Sequence, residues 1–196
     1  MPADHPLLKL LADVAARRDV PIDLHMDPTA TEISTPPRMA AHSANPPRLP
    51  ATMPALERLL TYNPKARIVW AHAGSDPLGG MTPEAIGRMM DTHPNLFVSL
   101  RIGPPNIPAL NKVLSGDGLD PAWAILLSRH TDRFVIGTDG FVPSPLAPGG
   151  GPGMSFAEKR LPNLSATVRF LSLLPQEQAR KIGRDNAIRI YRLTVN

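Results

Sequence analysis

The stretch Phe134-Val135-Ile136-Gly137-Thr138-Asp139 decides how this chain reads: an uncharged run of strand length that ends on a carboxylate. Two other stretches share that form. Pro21-Ile22-Asp23-Leu24-His25 closes on an imidazole, and Arg67-Ile68-Val69-Trp70-Ala71-His72-Ala73-Gly74 carries one at its end. Each run puts a potential metal ligand or acid–base group where a strand gives way to a loop. A parallel α/β barrel builds its active site this way, from side chains at the carboxyl ends of its strands. Two imidazoles and a carboxylate also suit a divalent ion that activates water. The chain contains no His-x-His pair, so such a site lacks part of its donor set.

Between these runs the sequence alternates helix and strand. Leu7, Leu8, Leu11, Val14 and Ala15 recur at helical spacing and predict a helix from Asp4, its expected cap, to Arg18. Strand 20–26 follows, then a long Pro-, Thr-, Ser- and Ala-rich loop over 27–50. Helix 52–62 leads to strand 67–72, and Thr82-Pro83 opens helix 83–92 as N-cap and first helical residue. Strand 96–102, helix 121–130 and strand 133–138 come next. An irregular stretch, 142–162, then precedes two closing helices, 164–174 and 176–193, the second broken near Gly183–Asp185. The order αβαβαβαβαα implies a parallel sheet with right-handed crossovers. A complete eight-stranded barrel takes about 250 residues. Four strands in 196 residues therefore read as an α/β chain of (β/α)8 barrel type with only about the last four β/α units present, forming one domain over 1–196.

Composition narrows the function classes. A hydrophobic fraction of 42% is ordinary for a soluble globular chain, and 24 prolines lie mostly outside the apolar runs, as expected of rigid loops on a regular scaffold. The net charge of +4 comes from scattered basic residues rather than a cluster, which argues against nucleic-acid binding. No stretch approaches the ~20 apolar residues of a membrane span, and the N-terminus lacks the pattern of a signal peptide, so a cytoplasmic location is expected. With no cysteine, disulfides and thiolate metal sites are excluded.

The motifs taken in order resemble the second half of barrels of the amidohydrolase superfamily, specifically its amidohydrolase-related (amidohydrolase 2) family of metal-dependent hydrolases, lactonases and decarboxylases. Asp23-Leu24-His25 resembles the fifth strand with its metal-binding His, and Val69-Trp70-Ala71-His72-Ala73-Gly74 the sixth with its His. Pro94-Asn95-Leu96-Phe97-Val98 resembles the seventh, and Arg133 to Asp139 the eighth with its metal-binding and catalytic Asp. Lys181-Ile182-Gly183-Arg184-Asp185-Asn186-Ala187 through Tyr191 resembles the closing helix. The family's first-strand His-x-His pair lies outside this chain.

The resemblance implies a hydrolase that cleaves a C–O or C–N bond of a small molecule (an amide, ester or lactone) with a metal-activated water and a divalent cofactor, Zn²⁺ foremost. In that reading His25 and Asp139 bind the metal, Asp139 also takes the proton, and His72 acts as the acid–base group or oxyanion partner. The same groups also suit a non-oxidative decarboxylase, and a truncated assembly module without catalysis is the rival from another class. The partners expected are a small-molecule substrate and either a second copy of the chain or a complementing N-terminal half.

Each residue also has a plain structural reading. His25 and His72 could be buried strand histidines satisfied by backbone, and Asp139 a turn residue before Gly140. Arg101 alternates with Ser99 and could offer its planar fork to a substrate carboxylate, or form a salt bridge. Gly149 to Gly153 does not match a phosphate-binding loop; it reads as a linker or a loop covering the site.

Overall fold

Strand β4 (Ile68–Ala73) is buried along almost its whole length, which a strand achieves only with partners on both sides and cover on both faces. It pairs in parallel with β1 (Ile22–Leu24) on one side and β5 (Leu96–Leu100) on the other, and β5 pairs in parallel with β8 (Phe134–Ile136). The sheet order β1-β4-β5-β8 matches the order of these strands along the chain, as the sequence reading expects. The structure, a computed structural model, describes residues 1–40, 45–75, 78–103, 112–116, 118–139 and 157–195, without the side chains of 38 and 157–163. Within these residues the four strands form an open sheet rather than a closed barrel.

One face of the sheet packs against helices. Ile68, Trp70, Leu96, Val98, Leu100 and Phe134 join a core with residues of α1 (Pro6–Arg18), α3 (Met53–Tyr62), α4 (Pro83–Thr92) and α5 (Pro121–Arg129). Local signals start these helices. Thr82 accepts the amide of Ala85, as expected, and Asp120 caps α5 by accepting the amides of Ala122 and Trp123. Asn95 anchors the entry to β5, its buried amide donating to the carbonyls of Leu60 and Ala66 at 3.1 Å each.

The other face of the sheet is covered in part as well. Val69, Phe97 and Val135 point to this side and are buried under Ile190, with Ala187 and Tyr191 of α8 (Asn186–Tyr191) alongside. Tyr191 donates to Asp23 on β1 at 2.9 Å, so α8 reaches across the sheet near the beginnings of its strands. Without this cover the three apolar side chains would face solvent. Asn186 fixes the helix by donating to the carbonyls of Thr131 and Phe134 at 2.7 and 2.8 Å. The irregularity expected near Gly183–Asp185 is a π-helical turn, Lys181–Asp185, between α7 (Gln176–Arg180) and α8.

Several boundaries move. Strands β1 and β8 are three residues each, shorter than the runs that signal them, because only that part is paired. The cap of α1 is His5, whose Nδ1 accepts the Leu7 amide at 3.2 Å; Asp4 instead pairs with Arg58 of α3 at 2.6 Å. The expected loop 27–50 carries a small antiparallel ribbon, β2 (Ile33–Ser34) with β3 (Arg48–Leu49), and a helical turn α2 (Pro37–Ala40). A second ribbon, β6 (Leu114–Ser115) with β7 (Gly118–Leu119), precedes α5. Helix α6 (Ala157–Ser172) runs through Pro162, where the sequence reading placed a loop. A proline in the second turn removes a single backbone bond, which the rest of a 16-residue helix outweighs. Residues 142–156, including Gly149 to Gly153, lie outside the described residues.

On α1, Leu7, Leu10, Leu11 and Val14 form an exposed apolar stripe beside the edge strand β1. Two outcomes follow for stability. Asn186→Ala is expected to cost about 1–3 kcal/mol in urea unfolding, because it strips two buried carbonyls of their donor. Leu10→Glu on the exposed stripe is expected to stay within about 0.5 kcal/mol of the parent. Equal effects of the two would contradict this assignment of buried and free surfaces.

Away from the site, His130 is buried with its Nε2 3.2 Å from Asp91 and its Nδ1 2.6 Å from Arg133. Burial, followed by the nearby Arg133 charge, pushes its pKa below the ordinary 6.5. The folded chain thus holds fewer protons here than the unfolded one at mildly acidic pH. The contribution is complete above pH 6.5 and is lost as pH falls through the depressed folded value. Urea midpoints are expected to drop between pH 7.5 and pH 5.5, and His130→Asn should flatten that drop.

Candidate active site

Alternation along the strands places one set of side chains above the α8 cover. Counting by twos from Asp23, Val69, Phe97 and Val135 gives His25, Ala71, then Ser99 and Arg101, then Gly137 and Asp139, all toward the carboxyl ends of the strands. His72 does not belong to that series. By strict alternation it would follow Trp70 toward the helices. The register between β4 and β5 shifts between Trp70 and Ala73, and His72 has a left-handed backbone, φ 73°. Such a bulge re-aims a side chain. Here it brings the imidazole into the site.

The rings of His25 and His72 meet edge to face, with their Nδ1 atoms 3.0 Å apart. Nε2 of His72 stands 3.6 Å from Oδ1 of Asp139, too long for a hydrogen bond but close enough for a charge contact. The other oxygen of Asp139 pairs with Arg101 at 3.0 Å. The four residues therefore form a string across the four strand ends: His25, His72, Asp139, Arg101. Asp139 also takes a left-handed backbone, φ 49°. Two such residues at one site cost roughly 1–3 kcal/mol each, a cost that the surrounding packing must offset.

The surroundings of His72 disfavour its charged form. Burial, more than any neighbour, pushes His72 below the usual imidazole range, against the opposing pull of Asp139. A neutral His72 is best placed with its proton on Nε2, facing the carboxylate. Its Nδ1 is then the acceptor in the 3.0 Å contact with Nδ1 of His25.

A cleft of about 200 Å³ opens here, bordered by His25, His72 and Arg101 together with Asp27, Ser75 and Met81. Ser75 and Met81 were not singled out, because neither stands at a strand end. A larger groove, about 460 Å³, lies between α4 and α5 and holds none of the four string residues. Trp70 is buried on the helical side and donates from its indole to the carbonyl of Met26 at 2.9 Å, which steadies the chain just after His25.

The donor types suit a divalent ion, but their arrangement does not. Among the described residues, no three His, Asp or Glu side chains converge closely enough to hold one. His25, His72 and Asp139 do come together at the carboxyl edge of the sheet, as a string rather than as a three-donor cluster. The two Nδ1 atoms face each other, and the Asp139 carboxylate is taken by Arg101. Arg101 faces the site, as expected, but its partner is Asp139.

Two glycines make room for this geometry. Gly74 has φ 89°, and a side chain there would come within 2.7 Å of Val113. A Cβ at Gly137 would meet Oγ of Ser99 at 2.8 Å, and that hydroxyl lies 3.4 Å from the His72 amide. Gly137→Ala is expected to destabilise the chain by about 1–3 kcal/mol through overpacking. Adding Ser99→Gly should recover most of the loss in thermal unfolding. No recovery would mean that the Ser99 contact is not the cause.

Comparison with known proteins follows the same line. The solved amidohydrolase 2 from Bifidobacterium longum subsp. infantis superposes with a TM-score of 0.50 at 12% sequence identity, covering 97% of this chain and 56% of that one. That likeness is one of fold, and this chain spans little more than half the length of that relative. No curated protein matches. The amidohydrolase family profile matches residues 2–193, nearly end to end, and the chain belongs to that family.

Proposed function

We propose that this chain carries the carboxyl-terminal part of the active site of a hydrolase that cleaves a C–O or C–N bond in a small amide, ester or lactone. Family membership supports hydrolytic chemistry in general. The observation that carries the finer reading is the position of His72, in contact with His25 at 3.0 Å and Asp139 at 3.6 Å at one edge of the sheet. In this reading Asp139 accepts the proton of the attacking water, and the neutral His72 between them serves as acid–base group. His25, with Nε2 free, is the group most ready to bind a cation. A divalent ion, Zn²⁺ foremost, belongs to this chemistry, but the side chains of the described residues do not complete its site. The remaining donors would come from outside this chain, from a complementing half-barrel segment or a second copy.

A second reading, a non-catalytic assembly module, draws on the exposed stripe of α1 and on edge strands β1 and β8, each paired on one side only within the described sheet. Calorimetric titration with Zn²⁺, run beside ester and lactone hydrolysis, separates the two. The hydrolase reading expects Zn²⁺ binding weaker than about micromolar. It also expects slow hydrolysis by the chain alone, reduced at least about tenfold by Asp139→Asn. Turnover indifferent to Asp139→Asn would sink it. Tight stoichiometric Zn²⁺ binding with full Asp139-dependent turnover would instead sink the argument that the donor set is incomplete.

A further inference from the structure

Asp139 has a polar neighbour at each oxygen, of which Arg101 is the closer. Oδ2 meets the Arg101 guanidinium at 3.0 Å and Oδ1 faces Nε2 of His72 at 3.6 Å. Arg101 and Asp139 belong to the neighbouring strand ends of β5 and β8 and reach the same side of the sheet, so the pairing is built into the register. Arg101 is itself tethered, its amide donating to the Ala73 carbonyl at 2.9 Å at the end of β4. Its Nε is buried and has no hydrogen-bond partner among the described residues, which leaves the Asp139 ion pair as the polar contact that holds the guanidinium in place.

A guanidinium does not lose its proton in a protein, so the positive charge beside Asp139 is permanent. A cation approaching Asp139 must either displace Arg101 or bind with a fixed positive charge beside it.

We propose that Arg101 is a positioning residue that holds the Asp139 carboxylate in its left-handed turn and thereby withholds it from a cation. This accounts for the mismatch between a metal-type donor set and the absence of a three-donor cluster among the described residues. It rests on the reading of Asp139 as a group meant for a cation, and its test has an arm that needs no metal.

The test compares the whole chain with Arg101→Gln, Arg101→Met and Arg101→Lys. With Zn²⁺ alone as the probe, both neutral variants are expected to bind about tenfold more tightly than the parent in calorimetry. Arg101→Lys, which keeps a charge opposite Asp139, should stay within about threefold. A merely structural role for Arg101 would weaken binding instead, and Lys would not restore the parental value. Adding Asp139→Asn to Arg101→Gln should erase the gain. In metal-free hydrogen–deuterium exchange, the amides of His72 and Asp139 should exchange faster in the neutral variants. Faster exchange without Zn²⁺ binding by any variant would uphold the positioning role and overturn the metal reading of the site. Unchanged or weaker Zn²⁺ binding with unchanged exchange, or a gain that survives Asp139→Asn, would overturn the proposal. If Arg101→Gln does not fold, the Met and Lys variants carry the same comparison.

Discussion

His72 leaves the alternation of β4 through a left-handed backbone at φ 73°, and the rest of the site depends on where that turn leaves its ring. With a regular strand the imidazole would join Trp70 under the helices, and His25 and Asp139 would have nothing between them. The bulge needs room on both sides. Gly74 admits the sharp exit, and Gly137 leaves space for Ser99 below the His72 amide. It also needs a firm base, which the buried run of β4 and its pairing with β1 and β5 provide. A strained residue persists only where the surrounding structure over-determines it, and such residues cluster at working sites.

The base is itself secured from both faces. On one side Trp70, Phe134 and their neighbours pack against the helical layer. On the other, Ile190 and Tyr191 of α8 cover Val69, Phe97 and Val135, and Asn186 ties that helix to the start of β8. The open four-stranded sheet would otherwise expose an apolar face. The C-terminal helix covers this one near the strand beginnings and leaves the strand ends to the polar string.

Much of this was legible in the sequence because it rests on local signals. Apolar runs of strand length alternate with helical periodicity, and three of the four end in His25, His72 or Asp139. The short motifs around them resemble one family in the right order. What was not legible depends on three-dimensional context. Nothing in Ala71-His72-Ala73 announces a bulge, since small neighbours permit one without requiring it. Val69, Phe97 and Val135 read equally as barrel-facing or helix-covered residues, because alternation assigns a face but not its cover. Asp4 has the chemistry of a cap, yet Arg58 offered it a charged partner and His5 took the capping role. Arg101 had two readings of equal standing in the sequence, and only the register between β5 and β8 shows its partner.

The pairing of Arg101 with Asp139 and of His72 with His25 leaves a set of donors that satisfy one another before any ion arrives. The central claim is that the described residues of this chain supply a polar string suited to hydrolytic chemistry but not a complete metal site. X-ray absorption at the zinc edge, on the purified chain with one equivalent of Zn²⁺, tests it most directly. The account predicts no more than two imidazoles about each ion, with the remaining positions filled by light oxygen ligands. A first shell with three or more imidazoles in one ordered site, lost on His25→Ala, would contradict it.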